Sequence, residues 1–418
     1  MRKIDKIKVS AGEDLLAFIP HIVGYWPRNS VVCIGMAGKA LRATMRLDLP
    51  PAGAGNPAQF AALAAAQLSS DAEADGCLLA FFADSDWNEP RTFPHKELYA
   101  ALRDAFGRAG LPVRDAWYVG KDHWRAIECT NASCCPWPGR SNTAINASFV
   151  NAEFVFRGSA VGGDPRERIP AMTAVTDRDF AGKVAKGIEA VLAPLCADGL
   201  AENQLSVTLG SWERALAHWP EPPDASMTAY LLASLGATCV RDAVLVSLAT
   251  SPEQSLAGVV GTGYLCRDVP EPVVPAAWFG GNQAAGYDIV IGDESDAAIV
   301  AAGETFSNVL VGGSPDPGHP CCAPSWARLD RAEELLLFLA RSVEGAGKAP
   351  VLCMLGWIHW CRGRGTWAGT FFQAAQESVP GYKLAYLLER LLDAGAIAAW
   401  AKDKATAWPG YQERLEAA

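Results

Sequence analysis

The segment Cys77-Leu-Leu-Ala-Phe-Phe82 places the strongest constraint on how this chain can fold. It is a continuous apolar run, without the alternation of apolar and polar residues that a half-exposed strand shows. Such a run is typical of a central strand that is buried on both faces of its sheet. We therefore expect a sheet with helices packed on it.

The segments around this run alternate between strand and helix patterns. Leu41 to Leu49 alternates apolar with polar residues, which predicts a strand with one polar face, in a hairpin with Ser30 to Gly35. Helices are predicted from about Pro57 to Leu68 and from about Lys96 to Arg108, and a second hairpin from Val113 to Glu128. The predicted fold class is α/β, a mixed β-sheet with packed helices in the N-terminal half and a helical C-terminal half.

The remaining segments define the predicted domain organisation. Phe149 to Phe156 is interpreted as another β-rich run, and Phe180 to Leu195 as an amphipathic helix that closes the first domain. A helical pattern begins near Ser206, and Gly, Pro and Ala are abundant after Ser251. The predicted divisions are an α/β domain at residues 1–200, a helical connecting segment at 201–250, a Gly/Pro-rich insertion or linker at 251–325, and a helical region at 326–418.

Residues 350–394 resemble one tetratricopeptide unit. The pattern appears once, so it predicts a single helical hairpin in which Gly356 faces Ala368 or Phe372. The matching positions are Leu352, Leu355, Gly356, His359, Ala368, Phe372 and Pro380. Four tryptophans are interpreted as exposed and as a surface for partners: Trp357, Trp360, Trp367 and Trp400.

Composition narrows the class of protein. The chain has 418 residues, 50% of them hydrophobic and 20% charged, which is typical of a globular protein with two or three domains. A formal net charge of −10 argues against nucleic acid as a partner. There is no apolar stretch of membrane-spanning length and no secretory leader pattern. We therefore expect a cytoplasmic protein without a membrane span.

Cys129, Cys134 and Cys135 lie within seven residues, in a turn closed by Pro136 and Gly139. Three interpretations stay open: a metal site, a reactive thiol, and a turn in which the sulfurs only pack. Neighbouring residues of an extended chain point to opposite sides, so Cys134 and Cys135 need a sharp turn to share one ion. Zinc is the metal considered, and the candidates for its fourth ligand are His123, His319, Cys321 and Cys322.

Other polar residues are candidates for ligand binding. His21, Arg46 and Asp48 surround the first hairpin, although His21 also fits a packing role and the other two fit a solvent-exposed ion pair. Asp84 and Asp86 follow the central strand, where α/β proteins often bind ligands. Arg241 and Asp242 are adjacent and fit either a binding role or a local ion pair.

The common catalytic motifs are missing from the sequence. It contains neither a phosphate-binding loop, nor a dinucleotide fingerprint, nor a zinc-protease motif, nor a nucleophile elbow. The interpretation is a binding or regulatory protein that recognises a protein partner or a small ligand. The alternative is an enzyme or metal-dependent protein that uses the Cys129, Cys134 and Cys135 turn. Oligomeric state and cofactor stay open.

Several segments carry a resemblance to a known family. They are Asp14 to Val32, Met45 to Pro50, Trp124 to Gly139, Val240 to Asp242, and the set Trp357, Gly365, Ala368, Pro380 and Leu384-Ala385. Together they resemble an uncharacterised actinobacterial family, the domain of unknown function family four-one-nine-two. The resemblance implies a cytoplasmic protein and assigns no reaction. Two segments depart from the family pattern: Gly162 to Arg166, and Pro320 to Pro324.

Overall fold

The chain divides into two compact units, Met1–Asp164 and Pro165–Ala418. The sequence interpretation placed its first boundary at residue 200 instead. The computed structural model describes residues 9, 11–50, 56–87, 89, 93–198, 201–263, 265, 269, 271–275, 289, 295–313, 323–403 and 405–410.

The first unit is built on one mixed sheet of six strands in the order β2-β1-β3-β4-β5-β6. β3 and β4 are parallel, and the other neighbours are antiparallel. Leu41 to Leu49 and Cys77 to Phe82 therefore belong to one sheet, as predicted. The strands are β1 Ser30–Ala37, β2 Ala40–Asp48, β3 Gly76–Phe82, β4 Val113–Val119, β5 His123–Ala126 and β6 Arg140–Ser141.

Helices cover both faces of this sheet, and every residue of β3 is therefore buried. Cys77, Leu79 and Phe81 face one apolar cluster, and the residues between them face another. α2 and α3 supply the first cluster, whereas α1 and α5 supply the second. The helices are α1 Gly12–Val23, α2 Pro57–Leu68, α3 Lys96–Arg108, α4 Thr143–Asn146 and α5 Phe149–Phe156.

The prediction of a β-rich run at Phe149 to Phe156 is wrong, because this segment is the helix α5. Ser148 caps the helix by accepting a hydrogen bond from the backbone N–H of Asn151. Val150 and Phe154 lie four residues apart and are both buried on the face that packs against α1. Burial of this face outweighs the strand preference of the valine and phenylalanine residues.

The regular elements of the second unit, within the part that the structure describes, are all helices, and one large apolar cluster forms most of its core. Two short 3-10 helices, Gly345–Gly347 and Ala399–Lys402, accompany the α-helices. The α-helices are α6 Pro165–Thr173, α7 Arg178–Asp198, α8 Glu202–His218, α9 Ala225–Ser234, α10 Thr238–Ala249, α11 Pro252–Gly261, α12 Asp296–Val311, α13 Trp326–Arg341, α14 Lys348–Cys361, α15 Gly365–Ser378 and α16 Lys383–Asp393.

Two of these helices, α11 and α12, lie in the segment that was interpreted as an insertion or linker. A Cβ atom on Gly261 would lie 2.1 Å from the carbonyl oxygen of Ile299, and one on Gly258 would lie 2.6 Å from Phe306. The glycines therefore allow two helix backbones to approach closely, which is a packing role. A sequence pattern rich in glycine does not distinguish this role from a flexible linker.

The predicted C-terminal hairpin is present as α14 and α15. His359 stacks on Trp367 and Phe371, while Gly356, one turn earlier in α14, contacts Ala368 and Phe372 further along α15. The contacts run in opposite directions along the two helices, so the helices are antiparallel. Gly356 faces both residues that the sequence suggested.

The interpretation of four exposed tryptophans is wrong. Trp357, Trp360, Trp367 and Trp400 are all buried. Three of them donate their indole N–H groups to backbone carbonyls, those of Leu310, Ala396 and Cys361 respectively for Trp357, Trp360 and Trp400. Leu310 and Cys361 lie in the last turns of α12 and α14, where carbonyls lack helical partners. In the core, the apolar rings are removed from water and these carbonyls accept hydrogen bonds from the indole groups.

A buried ionic cluster joins α13 to α14. Arg362 pairs with Asp330 at 2.8 Å and with Glu333 at 2.5 Å, and His359 lies 3.2 Å from Glu333. Burial lowers the pKa of His359 to about 4. Although burial disfavours the charge of Glu333, its pairing with His359 and Arg362 holds its pKa well below the usual range.

No single helix in the described part of the chain is long and apolar enough to cross a membrane; one pair, α9 and α10, meets the criteria of length and composition together but is bent by 110°.

Gly356→Leu should lower the free energy of unfolding by about 1 to 3 kcal/mol, because the new side chain overpacks the crossing of α14 and α15. A Cβ atom at this position would already lie 2.4 Å from Phe372. Urea denaturation measures the change. Gly182→Leu is the matched control, since position 182 in α7 has open space around it. Equal stabilities of the two variants would contradict the predicted contact.

The stability of the protein should fall as the pH decreases from about 6.5 to about 4, because unfolded His359 accepts a proton that the folded state excludes. The loss is at most about 1.4 kcal/mol per pH unit. Glu333 also makes the fold less stable as the pH falls below the pKa of an unfolded glutamate, because the pKa of Glu333 is lower in the folded protein. Urea midpoints at several pH values test this, and His359→Gln should flatten the dependence. An equally steep dependence in that variant would contradict it.

Candidate functional site

The three cysteines of the turn between β5 and β6 come together. The sulfur atoms of Cys129, Cys134 and Cys135 all lie within 4.8 Å of one another. Asn131 shapes the turn, because its backbone carbonyl accepts the N–H groups of Cys134 at 3.1 Å and Cys135 at 2.8 Å, and its side chain accepts that of Ser133. This is the sharp turn that adjacent cysteines need to face one point.

Backbone N–H groups point at two of the sulfurs. The N–H of Asn131, helped by the thiol of Cys135, lowers the pKa of Cys129. Cys135 accepts from the N–H of Ala126, but burial dominates and raises the pKa of Cys135 to about 11. Of these two thiols, Cys129 therefore loses its proton more readily than Cys135.

Two arginines bind the backbone of the cysteine turn. Arg125 donates to the carbonyl of Cys129 at 3.3 Å, and Arg140 donates to that of Cys134 at 3.0 Å. The guanidinium of Arg125 also lies over two indole rings, at 5.0 Å from Trp87 and 5.1 Å from Trp137. The charge of Arg125 favours the thiolate of Cys129, whereas Arg140 is also paired with Glu13 at 3.4 Å.

The turn is at the edge of the sheet and is only partly buried. Cys135 and Trp124 are buried, whereas Cys129 is half-buried, Cys134 is exposed and Trp137 is 40% exposed. Trp137 stacks over Arg125 instead of entering the core. Solvent can therefore reach the sulfur cluster from the side of Cys134.

A fourth protein ligand is not part of this cluster among the described residues. Only the three cysteines place ligand atoms within 4.8 Å of one another there. The Nδ1 atom of His123 instead lies 3.0 Å from a carboxylate oxygen of Asp86. His319, Cys321 and Cys322 lie outside the described residues.

Asp84 and Asp86 follow β3 as predicted and have different partners. Asp84 accepts a hydrogen bond from the side chain of Asn29. Asp86 accepts the backbone N–H groups of Asp122 and His123 in the β4–β5 turn. These bonds lower the pKa of Asp86 although partial burial opposes the change. Asp86 thus holds the β4–β5 turn beside the end of β3.

His21 lies in the last turn of α1, between two polar side chains from the region of α5. Its Nδ1 atom lies 2.9 Å from the Oγ atom of Ser159, and its Nε2 atom lies 2.9 Å from Oδ1 of Asn151. The ring stacks on Phe154. Sequence reasoning missed Asn151 and Ser159, because more than a hundred residues separate them from His21 and no local spacing relates them to it.

The remaining candidates form ion pairs at separate places. Arg46 lies 2.7 Å from Asp48 on β2 and also donates to the carbonyl of Arg28. Arg241 lies 2.7 Å from Asp242 in the second unit. Burial raises the pKa of Asp242 although the pairing with Arg241 opposes this. Arg46 thus pairs with Asp48, whereas His21 contacts Ser159 and Asn151.

Alkylation of the metal-free native protein should separate the described cysteines into classes. Cys134 and Cys196 are exposed and should react with iodoacetamide within minutes. Burial raises the pKa of the buried thiols, so these should react only after unfolding: Cys33, Cys77, Cys353 and Cys361. Peptide mass spectrometry measures the order. Labelling of Cys353 as fast as Cys196 in folded protein would contradict the structure.

Comparison with known proteins supplies the family. A family model described as a domain of unknown function, DUF4192, matches residues 13–277 and 322–397. Neither the curated proteins nor the solved structures that were compared give a significant match. The matched ranges include the sheet, the cysteine turn and most of the helical unit. The chain therefore belongs to the DUF4192 family, a domain of unknown function.

Proposed function

We propose that this protein is metal-dependent and that Cys129, Cys134 and Cys135 bind one zinc ion. The proposal rests on one observation, the convergence of three sulfurs within 4.8 Å. Tetrahedral zinc with Zn–S distances of about 2.3 Å needs sulfurs about 3.8 Å apart. Binding therefore requires the sulfurs to move closer by at most about 1 Å.

The chemistry of the donors favours zinc over harder metals. Thiolates are soft ligands that suit zinc and poorly suit magnesium or calcium. The N–H groups directed at Cys129 and Cys135 stabilise charged sulfur in the bound state as well as in the free state. Three thiolates exceed the charge of one zinc ion by one, and Arg125, which binds the carbonyl of Cys129, offsets this charge.

Three protein ligands leave one coordination position for another molecule. Sites of this kind hold water or a substrate in the fourth position, whereas purely structural zinc sites have four protein ligands. The exposure of Cys134 gives solvent access to the cluster. We propose that this position binds a small ligand with a thiolate, imidazole or carboxylate group. The burial of the four tryptophans removes the reason for placing a protein-binding surface on α14 and α15.

Three further expectations from the sequence are compatible with a zinc site, but the zinc site does not test them. A reducing cytoplasmic location, as the sequence suggests, keeps such thiols available for a metal. An actinobacterial source and a relationship of α14 and α15 to tetratricopeptide units stay predictions.

Metal analysis tests the proposal directly. Protein purified under reducing conditions and given excess zinc should retain about one equivalent after gel filtration. Cys129→Ser and Cys134→Ser should each retain much less. Cys196→Ser replaces an exposed cysteine of the second unit and should retain the wild-type amount. Cobalt substitution should give the intense visible bands of four-coordinate cobalt bound by thiolates.

Two results would refute the zinc site. One is wild-type protein that is folded by circular dichroism and retains no zinc. The other is equal zinc content in Cys129→Ser, Cys134→Ser and Cys196→Ser, since binding would then lie elsewhere.

A further inference from the structure

A chain of four hydrogen-bonded groups runs through the first unit, apart from the cysteine turn. The side-chain N–H of Asn151 donates to the carbonyl of Asn146 at 2.7 Å. This bond requires the amide nitrogen on that side, so Oδ1 of Asn151 faces His21 and accepts its Nε2–H. When the imidazole is neutral, its lone pair is therefore on Nδ1. Ser159 must donate its hydroxyl proton to that lone pair at 2.9 Å.

Local structure holds Ser159 in place from both sides. Gly158 has a φ of 85° and ends α5, so that the N–H of Gly158 bonds the carbonyl of Val155 and the N–H of Ser159 bonds that of Phe154. Three residues further on, the N–H of Gly162 donates to the carbonyl of Gly24, just after α1. Both ends of the short segment around Ser159 are thus fixed to the helices that carry Asn151 and His21.

We propose that Ser159, His21 and Asn151 form a second functional site, which hydrolyses carboxylic esters. A serine hydroxyl hydrogen-bonded to a histidine whose other nitrogen is oriented by a third group is the arrangement that activates a nucleophile. An asparagine orients the histidine in the Cys-His-Asn version of this arrangement. Ser159 and His21 are the catalytic residues, and Asn151 is a positioning residue.

The reaction follows from the direction of these hydrogen bonds. The Oγ atom of Ser159 bonds to the ester carbonyl carbon while its proton passes to Nδ1 of His21. The bond from that carbon to the alcohol oxygen then breaks, and His21 returns the proton to the departing alcohol. Water attacks the acyl-serine, His21 accepts the water's proton and passes it to Ser159, and the carboxylic acid leaves. The imidazolium is stabilised because its Nε2–H remains bonded to Asn151.

The surroundings indicate the class of ester. Within the described part of the chain, the backbone N–H of Ala160 donates no hydrogen bond, so it is available to an oxyanion formed beside Ser159. Apolar side chains close in the sequence to the two catalytic residues are exposed: Ile22, next to His21, at 48%, and Phe156, three residues before Ser159, at 87%. Such residues favour an uncharged acyl group over a charged one. The substrate class is therefore an ester with an apolar acyl chain.

A fluorophosphonate probe tests the site in the full-length wild-type protein. The expected result is a covalent adduct on the peptide that contains Ser159, identified by mass spectrometry, in the presence of a metal chelator. The chelator separates this site from the proposed zinc site. p-Nitrophenyl butyrate serves as the turnover substrate. Hydrolysis should fall to background in Ser159→Ala and by about 100-fold or more in His21→Ala.

Control variants separate catalysis from folding. Ser70→Ala removes an exposed serine of the same unit and should leave labelling and hydrolysis unchanged. Asn151→Leu should lower kcat at least about tenfold, and Asn151→Asp, which still accepts from His21, should recover most of that loss. Absence of a Ser159 adduct in folded wild-type protein would overturn the proposal. Hydrolysis that is equal in Ser159→Ala and Ser70→Ala would overturn it as well.

Discussion

Burial of β3 on both faces is the constraint on which the first unit depends. All of its residues are buried, because α2 and α3 cover one face and α1 and α5 the other. The strand pairs with β1 on one side and with β4 on the other, which places it in the interior of the sheet. Both proposed sites lie at the margins of this arrangement, where loops and helix ends can present polar groups without burying them unpaired.

The two sites differ in how the chain assembles them. The cysteine turn is local, since one loop between β5 and β6 supplies all three sulfurs and Asn131 shapes it. The Ser159, His21 and Asn151 site joins α1 to the end of α5, so it exists only when both helices pack on the same face. We expect the first to depend on the loop's own hydrogen bonds and the second on the packing of the sheet face.

Several polar groups in the interior of the second unit are stabilised by pairing with one another. Trp357 and Trp400 donate to carbonyls near the ends of α12 and α14, and Glu333 balances Arg362. A buried charge without a partner costs several kcal/mol, so such groups are kept in matched sets. The aromatic residues near the C-terminus therefore serve the core, and the partner surface inferred from them has no support.

The alternation of apolar and polar residues predicted β2, and a continuous apolar run predicted β3. Apolar residues at helical spacing predicted the helix from Lys96 to Arg108. These patterns arise because residues on a buried face are apolar. The clustering of Cys129, Cys134 and Cys135 was also visible, since the three are close in the chain. Tertiary structure alone decided that Phe149 to Phe156 is a helix, that Gly258 and Gly261 lie at a helix crossing, and that His21 meets Ser159. Each of these features depends on contact with a segment that is distant in the sequence, and the local residue pattern does not identify that segment.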